Sequence, residues 1–274
     1  MPELPEIEVL RRSLEPHLVG DTIERTEVRD PRLRVRVRPD DLARRVNGRT
    51  VLALGRRSKY LLIELERGET LVVHLGMSGR LTLVPAATPT EPHEHVAFYL
   101  RSGTRLRLRD PRRFGMVLAL STSRLAASPH FAALGIEPLA PGFSGAALAA
   151  SAAGRRGPVK SFLMDAGVVV GVGNIYATES LFRAGIHPTR SVSRLSAARW
   201  ERLAGAVVEV LSQAITQGGT TLSDFADGEG NSGYFQVSLA AYGRAGEPCP
   251  ACGTPIRRIV QSGRSTFYCP RCQR

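Results

Sequence analysis

The spacing of hydrophobic positions divides the chain into a helical start, a strand-rich stretch and a helical second half. Residues 3–14 predict a short helix, because Ile7, Leu10 and Leu14 share one face of it. From about residue 22 to residue 120, short alternating or β-rich runs separated by Gly and Pro predict an antiparallel β-sandwich or barrel. Examples of the predicted strands are 50–54, 59–65, 70–75, 80–84, 96–100, 104–108 and 116–120, with a hairpin turn at 101–104.

After residue 120 the hydrophobic period becomes helical, and the predicted helices are 146–153, 159–165, 175–184 and 196–216. Residues 217–236 contain five glycines and few large apolar side chains, so we predict a mobile loop there. The order of the elements predicts an α+β fold. Its parts are an N-terminal antiparallel β-sandwich at 1–130, a linker at 131–145, a helical domain at 146–243 and a cysteine module at 244–274.

The charge of the chain indicates the kind of partner it meets. It has 37 Lys and Arg against 25 Asp and Glu, a formal net charge of +12, which indicates a polyanionic partner or serves solubility alone. With 43% hydrophobic residues the chain is not a disordered basic tail. Of the 37 basic residues only Lys59 and Lys160 are lysines, so these two mark positions where an amine is needed, unless chance has left them.

The sequence predicts a cytoplasmic protein. No apolar run approaches the roughly 20 residues that a membrane span needs. The first six residues, MPELPE, are acidic and interrupted by prolines, which is the opposite of a signal peptide. We therefore expect the cysteines to lie in a reducing compartment, where disulfides are disfavoured.

All four cysteines of the chain fall into one pattern at its C-terminal end. Cys249 and Cys252 form one C-x-x-C element, and Cys269 and Cys272 form a second after sixteen intervening residues. This spacing predicts a four-thiolate structural zinc site with a β-hairpin between the two elements. Two disulfides or free thiols are the alternatives. The hairpin is rich in arginine, which favours either a nucleic-acid-facing surface or a solvated basic face.

The start of the chain offers an unusual nucleophile. Removal of Met1 leaves the secondary amine of Pro2 beside the carboxylate of Glu3. An α-amino group has a pKa about two units below that of lysine, so more of it is free base near neutral pH. Attack of a secondary amine on a carbonyl-like carbon gives a permanently cationic iminium. The alternative is a proline that begins a helix with acidic residues in its first turn.

Six short segments of the chain stand in a characteristic order. They are 2–8 (PELPEIE), 57–61 (RSKYL), 74–79 (HLGMSG), 110–115 (DPRRFG), 171–177 (GVGNIYA) with Glu179, and 263–270 (GRSTFYCP). With these segments the chain resembles the bacterial formamidopyrimidine-DNA glycosylases from end to end. The resemblance implies a β-sandwich with a catalytic N-terminal helix, a helix-two-turn-helix DNA-binding domain and a zinc-finger β-hairpin.

The resemblance also implies a chemistry. Pro2 attacks the sugar C1′ of a damaged nucleotide, with Glu3 as acid and base near the ring oxygen, and strand cleavage follows by β- and δ-elimination. Lys59 holds the phosphate beside the lesion and assists elimination, and Arg264 completes the catalytic set through a phosphate contact. Without the resemblance, the sequence indicates that Lys59 is an exposed cation at the start of a strand.

An enzyme that removes a base must take it out of the duplex and fill the gap. The resemblance gives this role to Met77, Arg112 and Phe114, where the residues alone indicate a core methionine and a solvated turn. The other DNA contacts that it implies are His74, Lys160, Asn174, Tyr242 and Arg258. Three alternatives stay open: His74 as a core histidine, Lys160 as a charge on a helix surface, and Asn174 as the N-cap of the helix 175–184, which is compatible with phosphate binding.

The predicted loop resembles the lesion-reading loop of the family, with Thr220, Thr221, Phe225 and Tyr234 as its contacts. Some relatives carry an acid where Ser78 stands, so the contacts to the extruded base at that position are left open. The glycine pattern GVGN is a weak match to a dinucleotide fingerprint, because the third glycine is missing.

We therefore expect a monomeric, bifunctional DNA glycosylase and AP lyase with one structural Zn²⁺. Its substrate is double-stranded DNA that contains 8-oxoguanine, formamidopyrimidines or abasic sites. One alternative is an endonuclease VIII-like enzyme for oxidised pyrimidines, although such relatives have Gly where Leu4 stands and lack the GGTT sequence at 218–221. A second alternative is a non-catalytic zinc-finger DNA-binding protein, which needs neither Pro2, Glu3 nor Lys59.

Overall fold

The computed structural model describes residues 2–219 and 239–274. The described residues form two compact units. The first unit contains residues 2–132 and 217–219, and the second contains residues 133–216 and 239–274. The four-part division at 130, 145 and 243 stays a prediction.

The first unit begins with helix α1 (Leu4–Leu18) and contains an antiparallel sheet and a second short helix, α2 (Pro39–Val46). The strands are β1 (Thr22–Val28), β2 (Arg49–Arg57), β3 (Tyr60–Leu65), β4 (Glu69–His74), β5 (Arg80–Pro85), β6 (Glu94–Leu100), β7 (Thr104–Arg109) and β8 (Met116–Ser121). Their order in the sheet is β5-β7-β6-β1-β2-β3-β4-β8. Only Thr22↔Thr50 and Ile23↔Arg49 join β1 to β2, so the sheet consists of two four-stranded halves with a short connection.

The two halves share one hydrophobic core, which makes them a sandwich. It includes Leu81, Val96, Phe98, Leu106 and Leu108 from one half and Leu61, Ile63, Leu71, Val73 and Val117 from the other. Helix α1 adds Ile7, Leu10, Leu14 and Leu18 to this core. The apolar face that the sequence predicts for α1 is therefore the face that is buried.

The predicted antiparallel sandwich is confirmed, but two of its elements were missed. Strand β1 has the sequence TIERTEV, in which only Thr22 and Ile23 are buried. Helix α2 is eight residues long and buries only Leu42 and Val46. Each element presents too few apolar positions for a periodic signal.

The second unit contains helices α3 (Gly145–Ser151), α4 (Val159–Leu163), α5 (Asn174–Arg183) and α6 (Ala197–Thr216). Helices α3 and α6 approach closely at Gly145, where a Cβ atom would lie 2.4 Å from the backbone nitrogen of Glu201. Helices α4 and α6 meet through Phe162 and Trp200, whose ring centroids are 5.4 Å apart. Among the described residues, no helix is long and apolar enough to cross a membrane.

A β-hairpin of β9 (Arg257–Gln261) and β10 (Arg264–Tyr268) completes the second unit. Ser262 and Gly263 form its two-residue turn with φ angles of 50° and 72°, as a turn of the I′ kind requires. The end of the chain packs beside α5 through Gln273, whose Nε2 donates to the carbonyl of Ile186 at 2.9 Å. The predicted hairpin between the two cysteine pairs is confirmed.

Replacement of Phe98 by Ala is expected to destabilise the first unit by about 3–5 kcal/mol, because its fully buried ring leaves a cavity in the sandwich core. Chemical denaturation followed by circular dichroism measures the change. The control is Leu52→Ala, since Leu52 is 55% exposed and its loss is expected to change stability by less than about 0.5 kcal/mol. Equal denaturation midpoints for the two variants would contradict this assignment of the core.

Candidate functional site

The predicted nucleophile and its acidic neighbour lie at the buried start of α1. Pro2 is buried, and Glu3 is only 3% exposed. The N–H of Glu3 donates to Oε2 of Glu6 at 2.7 Å, an arrangement typical of a capped helix start. The N-terminal end of a helix favours negative charge, which suits two carboxylates in this position. The backbone at Pro2 and Glu3 is thus fixed before any ligand binds.

Gly219, near the start of the predicted lesion-reading loop, lies against this helix start. Its φ angle is 79°, and a Cβ atom there would lie 3.2 Å from Cγ and Oε1 of Glu6. A side chain would therefore be both strained and crowded at this position. The other predicted loop contacts, Thr220, Thr221, Phe225 and Tyr234, lie outside the described residues.

Lys59 occupies a two-residue turn between β2 and β3. Arg57 pairs with Tyr60 across the turn, and Ser58 has a φ angle of 57°. Strand β2 is tied to α1, because Glu8 of the helix accepts a hydrogen bond from Nε of Arg56 at 3.4 Å. The turn that carries Lys59 is therefore anchored to the helix that follows the predicted nucleophile.

His74 lies beside this turn and is held as a neutral ring. It pairs with Tyr60 across β3 and β4, with the ring centroids 4.9 Å apart. Burial, together with the positive charges of Lys59 and Arg34, lowers the pKa of His74 to about 4. The N–H of Gly76 donates to Nδ1 at 3.0 Å, so the ring proton is on Nε2. His74 thus presents an N–H donor at neutral pH.

Two loops of the first unit carry the predicted gap-filling residues. Residues 75–79, here the first wedge loop, follow β4 and carry Met77, whereas residues 110–115, the second wedge loop, join β7 to β8 and carry Arg112 and Phe114. Met77 is 37% exposed and Phe114 is 43% exposed, so the core interpretation of Met77 is wrong. The Arg112 guanidinium lies 5.0 Å from the centre of the Phe114 ring.

In the second unit, Lys160 is buried and links three segments. It is 2% exposed, so its interpretation as a charge on a helix surface is wrong. Its ammonium donates to Oδ1 of Asn174 at 2.5 Å and to Oγ1 of Thr266 at 2.6 Å, and the carbonyl of Ser265 lies 3.5 Å away. The ammonium therefore joins α4, the start of α5 and strand β10. Its predicted contact with DNA stays a prediction.

Asn174 is the first residue of α5 rather than its N-cap, which corrects the sequence-based expectation. The capping residue is Gly173, with extended φ and ψ angles of −114° and −155°. The Asn174 side chain turns away from the helix end, and its Nδ2 donates to the carbonyl of Ser265 at 3.0 Å. Competition from Ser265 and Lys160 explains why the side chain does not cap the helix.

Glu179 is a positioning residue to which sequence reasoning gave no role. Its carboxylate accepts hydrogen bonds from three consecutive backbone N–H groups, those of Ala240, Ala241 and Tyr242, at 2.9, 3.0 and 2.7 Å. The predicted DNA contact Tyr242 is held further by the Phe267 ring, with centroids 5.2 Å apart. The available signal was a carboxylate within a buried stretch of helix, since residues 175–181 are all buried.

The basic residues of the hairpin are exposed. Arg264 is the first residue after the turn at the hairpin tip, and both it and Arg258 are exposed. Nε of Arg258 donates to the Ser265 hydroxyl at 3.1 Å, which orients the guanidinium along the strand. These positions suit contacts with a polyanion.

The four cysteines come together as the sequence predicts. Their sulfur atoms all lie within 4.8 Å of one another, with 3.9 Å between Cys249 and Cys272 and 3.5 Å between Cys252 and Cys269. Tetrahedral coordination with metal–sulfur bonds of about 2.3 Å places sulfur atoms about 3.8 Å apart, so the cluster fits a four-thiolate metal site. The Cys272 thiol donates to the sulfur atoms around it, Cys252 first, and these hydrogen bonds together with burial raise the pKa of Cys272 to about 12, so a bound cation favours its ionisation.

Comparison with known families agrees with this geometry. Residues 1–117 match the profile of the formamidopyrimidine-DNA glycosylase N-terminal domain. Residues 134–226 match that of the formamidopyrimidine-DNA glycosylase H2TH domain. Residues 246–274 match the zinc finger found in FPG and IleRS.

The similarity to known proteins extends over the whole chain. The formamidopyrimidine-DNA glycosylase of Marinobacter nauticus is 51% identical over 274 residues, which cover 100% of both chains, and that of Acidithiobacillus ferrooxidans is 52% identical over the same span. The crystal structure of the MutM (FPG) protein from Thermus thermophilus has a TM-score of 0.88 and 41% identity, covering 99% of this chain and 98% of the other. Lactococcus lactis Fpg in complex with DNA containing N7-benzyl-Fapy-dG has a TM-score of 0.92 and 33% identity, with 100% of both chains covered.

Protonation of His74 is expected to destabilise the folded state. The unfolded chain takes up a proton at this residue as the pH falls through about 6.5, whereas the folded chain does so only near 4. The free energy of unfolding therefore falls by up to about 1.36 kcal/mol per pH unit from this one group as the pH is lowered between these values. Replacement by Gln removes this contribution.

NMR titration of the His74 ring and denaturation of the wild type and His74→Gln between pH 7 and pH 4.5 test this prediction. The ring resonances are expected to stay unchanged down to about pH 5. A ring that titrates with an ordinary histidine pKa, or an equal pH slope for both proteins, would contradict it.

Proposed function

The chain belongs to the formamidopyrimidine-DNA glycosylase family, and we propose that it excises oxidised purines from duplex DNA through a covalent intermediate at Pro2. The substrates are 8-oxoguanine and formamidopyrimidine lesions, and the reaction is a step of base-excision repair. The observation that carries the proposal is the fixed, buried start of α1, where Pro2 and Glu3 lie in the same unit as Lys59.

The first chemical step requires the free amine of Pro2, and therefore removal of Met1. The Pro2 nitrogen forms a bond to C1′ and loses its proton while the bond from C1′ to the damaged base breaks, and the base leaves with the bonding electrons and takes up a proton. Opening of the sugar ring gives an iminium between the nitrogen and C1′, and Glu3 supplies the proton that O4′ gains. Because the nitrogen is secondary, the iminium is cationic without further protonation.

The same intermediate explains an AP lyase activity. A cationic iminium makes the C2′ proton acidic, and its loss expels the 3′ phosphate in β-elimination. A second elimination releases the 5′ phosphate. We assign to Lys59 the contact with the phosphate beside the lesion, because its ammonium is carried by a rigid turn and a compact cation suits a single phosphate. His74, neutral with its proton on Nε2, donates to a neighbouring phosphate.

The DNA contacts of the second unit are assigned in the same way. Asn174 at the start of α5 and Tyr242 are fixed by buried partners, and Arg258 and Arg264 are exposed on the hairpin. A helix N-terminus and exposed guanidinium groups both suit phosphate. Lys160 contributes by orienting Asn174. Thr220, Thr221, Phe225 and Tyr234 are assigned to the lesion.

We further propose that the four cysteines hold one structural Zn²⁺ and that the protein acts as a monomer in the cytoplasm. Four thiolates complete a tetrahedral ion, so the metal has no open position for catalysis. Its contribution is to hold β9 and β10 in place, and with them Arg258 and Arg264.

Borohydride trapping tests the nucleophile. The wild type is expected to form a covalent adduct with an 8-oxoguanine duplex, and Pro2→Gly to form it at least about 100-fold more slowly, equivalent to about 2.7 kcal/mol of barrier. Pro39→Gly is the control, since Pro39 lies at the start of a helix in the same unit and is exposed. Mass spectrometry of the adduct locates the attachment at residue 2.

Three outcomes would contradict the proposal. No adduct with 8-oxoguanine, oxidised-pyrimidine or abasic duplexes would favour a non-catalytic DNA-binding protein. Trapping chiefly on the oxidised pyrimidine would favour the endonuclease VIII-like alternative. An adduct on a residue other than Pro2 would remove the nucleophile from its assigned position.

Loss of the metal is expected to weaken DNA binding. Cys249→Ala breaks the four-thiolate set, so metal analysis is expected to find no bound zinc, and fluorescence anisotropy at least about tenfold weaker binding to a lesion duplex, or about 1.4 kcal/mol. The control is Val260→Ala on the same hairpin, because Val260 is 70% exposed. Retention of zinc and affinity by Cys249→Ala would contradict the assignment.

A further inference from the structure

The two wedge loops are joined to each other by one buried carboxylate. Asp110 is fully buried, and its Oδ1 accepts a hydrogen bond from the hydroxyl of Ser78 in the first wedge loop at 2.7 Å. Its Oδ2 accepts from the N–H of Gly115, at the far end of the second wedge loop, also at 2.7 Å. The Ser78 oxygen in turn accepts from the N–H of Arg112 at 3.3 Å. One hydroxyl and one carboxylate thus fix both loops.

Close backbone packing reinforces this connection. Gly76 in the first wedge loop has a φ angle of 64°, and a Cβ atom there would lie 2.3 Å from the carbonyl carbon of Phe114. The base of the second loop is fixed as well, because the carbonyl of Asp110 lies 2.8 Å from Nε2 of the buried His95. The two loops are therefore held together by backbone packing as well as by hydrogen bonds.

We propose that Asp110 and Ser78 are positioning residues that hold Met77, Arg112 and Phe114 as one preformed wedge for insertion into the duplex. The inference rests on the proposed function, since the wedge is needed only where a base is extruded. Neither residue touches the substrate in this role. Asp110 is fully buried, and Ser78 is only 8% exposed.

The hydrogen bonds of Ser78 also indicate the role of this residue, which stands where some relatives carry an acid. A hydroxyl has one proton to donate, and here that proton goes to Asp110 while the oxygen accepts from Arg112. The proton of the Ser78 hydroxyl is therefore used to join the two loops, and we assign the contact with the extruded base to other residues.

Rigidity of the two loops matters because the wedge side chains themselves lie outside the hydrophobic core. Met77 and Phe114 are exposed, and side chains that must be ordered on binding reduce affinity. A wedge that is already ordered avoids this cost when it replaces the extruded base. A hydrogen bond to a charged group contributes roughly 1.5–3 kcal/mol, so its loss is expected to slow insertion about ten- to hundredfold.

The test compares Ser78→Ala with Thr70→Val. Both remove a buried hydroxyl from the first unit, but the Thr70 hydroxyl is hydrogen-bonded to that of Thr122, at 2.8 Å, away from the wedge loops. Ser78→Thr keeps the hydroxyl and is the conservative variant. Asp110→Asn leaves a single acceptor oxygen for two donors and provides an independent second variant.

Three measurements are made on each protein. Single-turnover kinetics give the excision rate for 8-oxoguanine opposite cytosine in a duplex. A 2-aminopurine beside the lesion reports unstacking, and therefore wedge insertion. Borohydride trapping on a single-stranded abasic oligonucleotide reports the chemistry at Pro2 without any need for a wedge.

Ser78→Ala and Asp110→Asn are expected to slow both insertion and duplex excision about ten- to hundredfold and to leave single-stranded trapping unchanged. Thr70→Val and Ser78→Thr are expected to match the wild type. The inference is overturned if Ser78→Ala inserts as fast as Thr70→Val, or if single-stranded trapping falls by the same factor as duplex excision. Failure of the wild type itself on all substrates would instead refute the proposed function.

Discussion

Hydrogen bonds from backbone N–H groups to buried carboxylates hold the functional segments of this protein in place. Glu6 accepts from the residue that begins α1, Asp110 from the second wedge loop, and Glu179 from three consecutive residues that include Tyr242. A hydrogen bond to an ionised acceptor is shorter and stronger than one between neutral groups. The backbone supplies donors to these carboxylates, whereas the side chain of Arg112 in the second wedge loop is exposed. The buried acidic residues thus hold backbone segments in place, whereas the exposed basic residues provide positive charge for a polyanionic partner.

The net charge of +12 has two separate components. Some arginines are structural, as around the buried Glu94, where Arg105 and Arg107 lie 3.4 and 3.5 Å from the carboxylate and Arg29 donates to its other oxygen. These arginines are held by a buried carboxylate and join β6 to β7 and to the residue that follows β1. The two lysines differ from them in kind. Lys160 places one compact ammonium among several oxygen acceptors, a site that a planar guanidinium does not fit. The scarcity of lysine is therefore informative even where the lysine is buried.

The sequence predicts the sandwich, the long helices and the metal hairpin because each rests on a local repeat: alternation in strands such as 104–109, a 3.6-residue period in 197–216, and paired C-x-x-C elements. It does not reveal β1 or α2, whose buried positions are too few. Nor does it reveal the partners of Ser78 or Glu179, because a hydrogen bond between residues 32 or 63 positions apart leaves no periodic signal. The same limit applies to Asn174, whose side chain a local rule assigns to the helix end, whereas residues from β10 and α4 compete for it.

The hairpin of β9 and β10 positions residues outside its own strands as well as its exposed arginines. Strand β10 supplies the Ser265 carbonyl to Asn174 and the Thr266 hydroxyl to Lys160, so the start of α5 depends on the position of this strand. Strand β10 ends at Tyr268, next to Cys269 of the cysteine cluster, which is fully buried. A displaced hairpin leaves the Lys160 ammonium with fewer acceptors, and an under-satisfied buried charge is costly. The cysteine cluster therefore adjoins the strand that holds Asn174 and Lys160 in position. Under the proposed function, this connection is the route by which a metal with no open coordination position would support DNA binding.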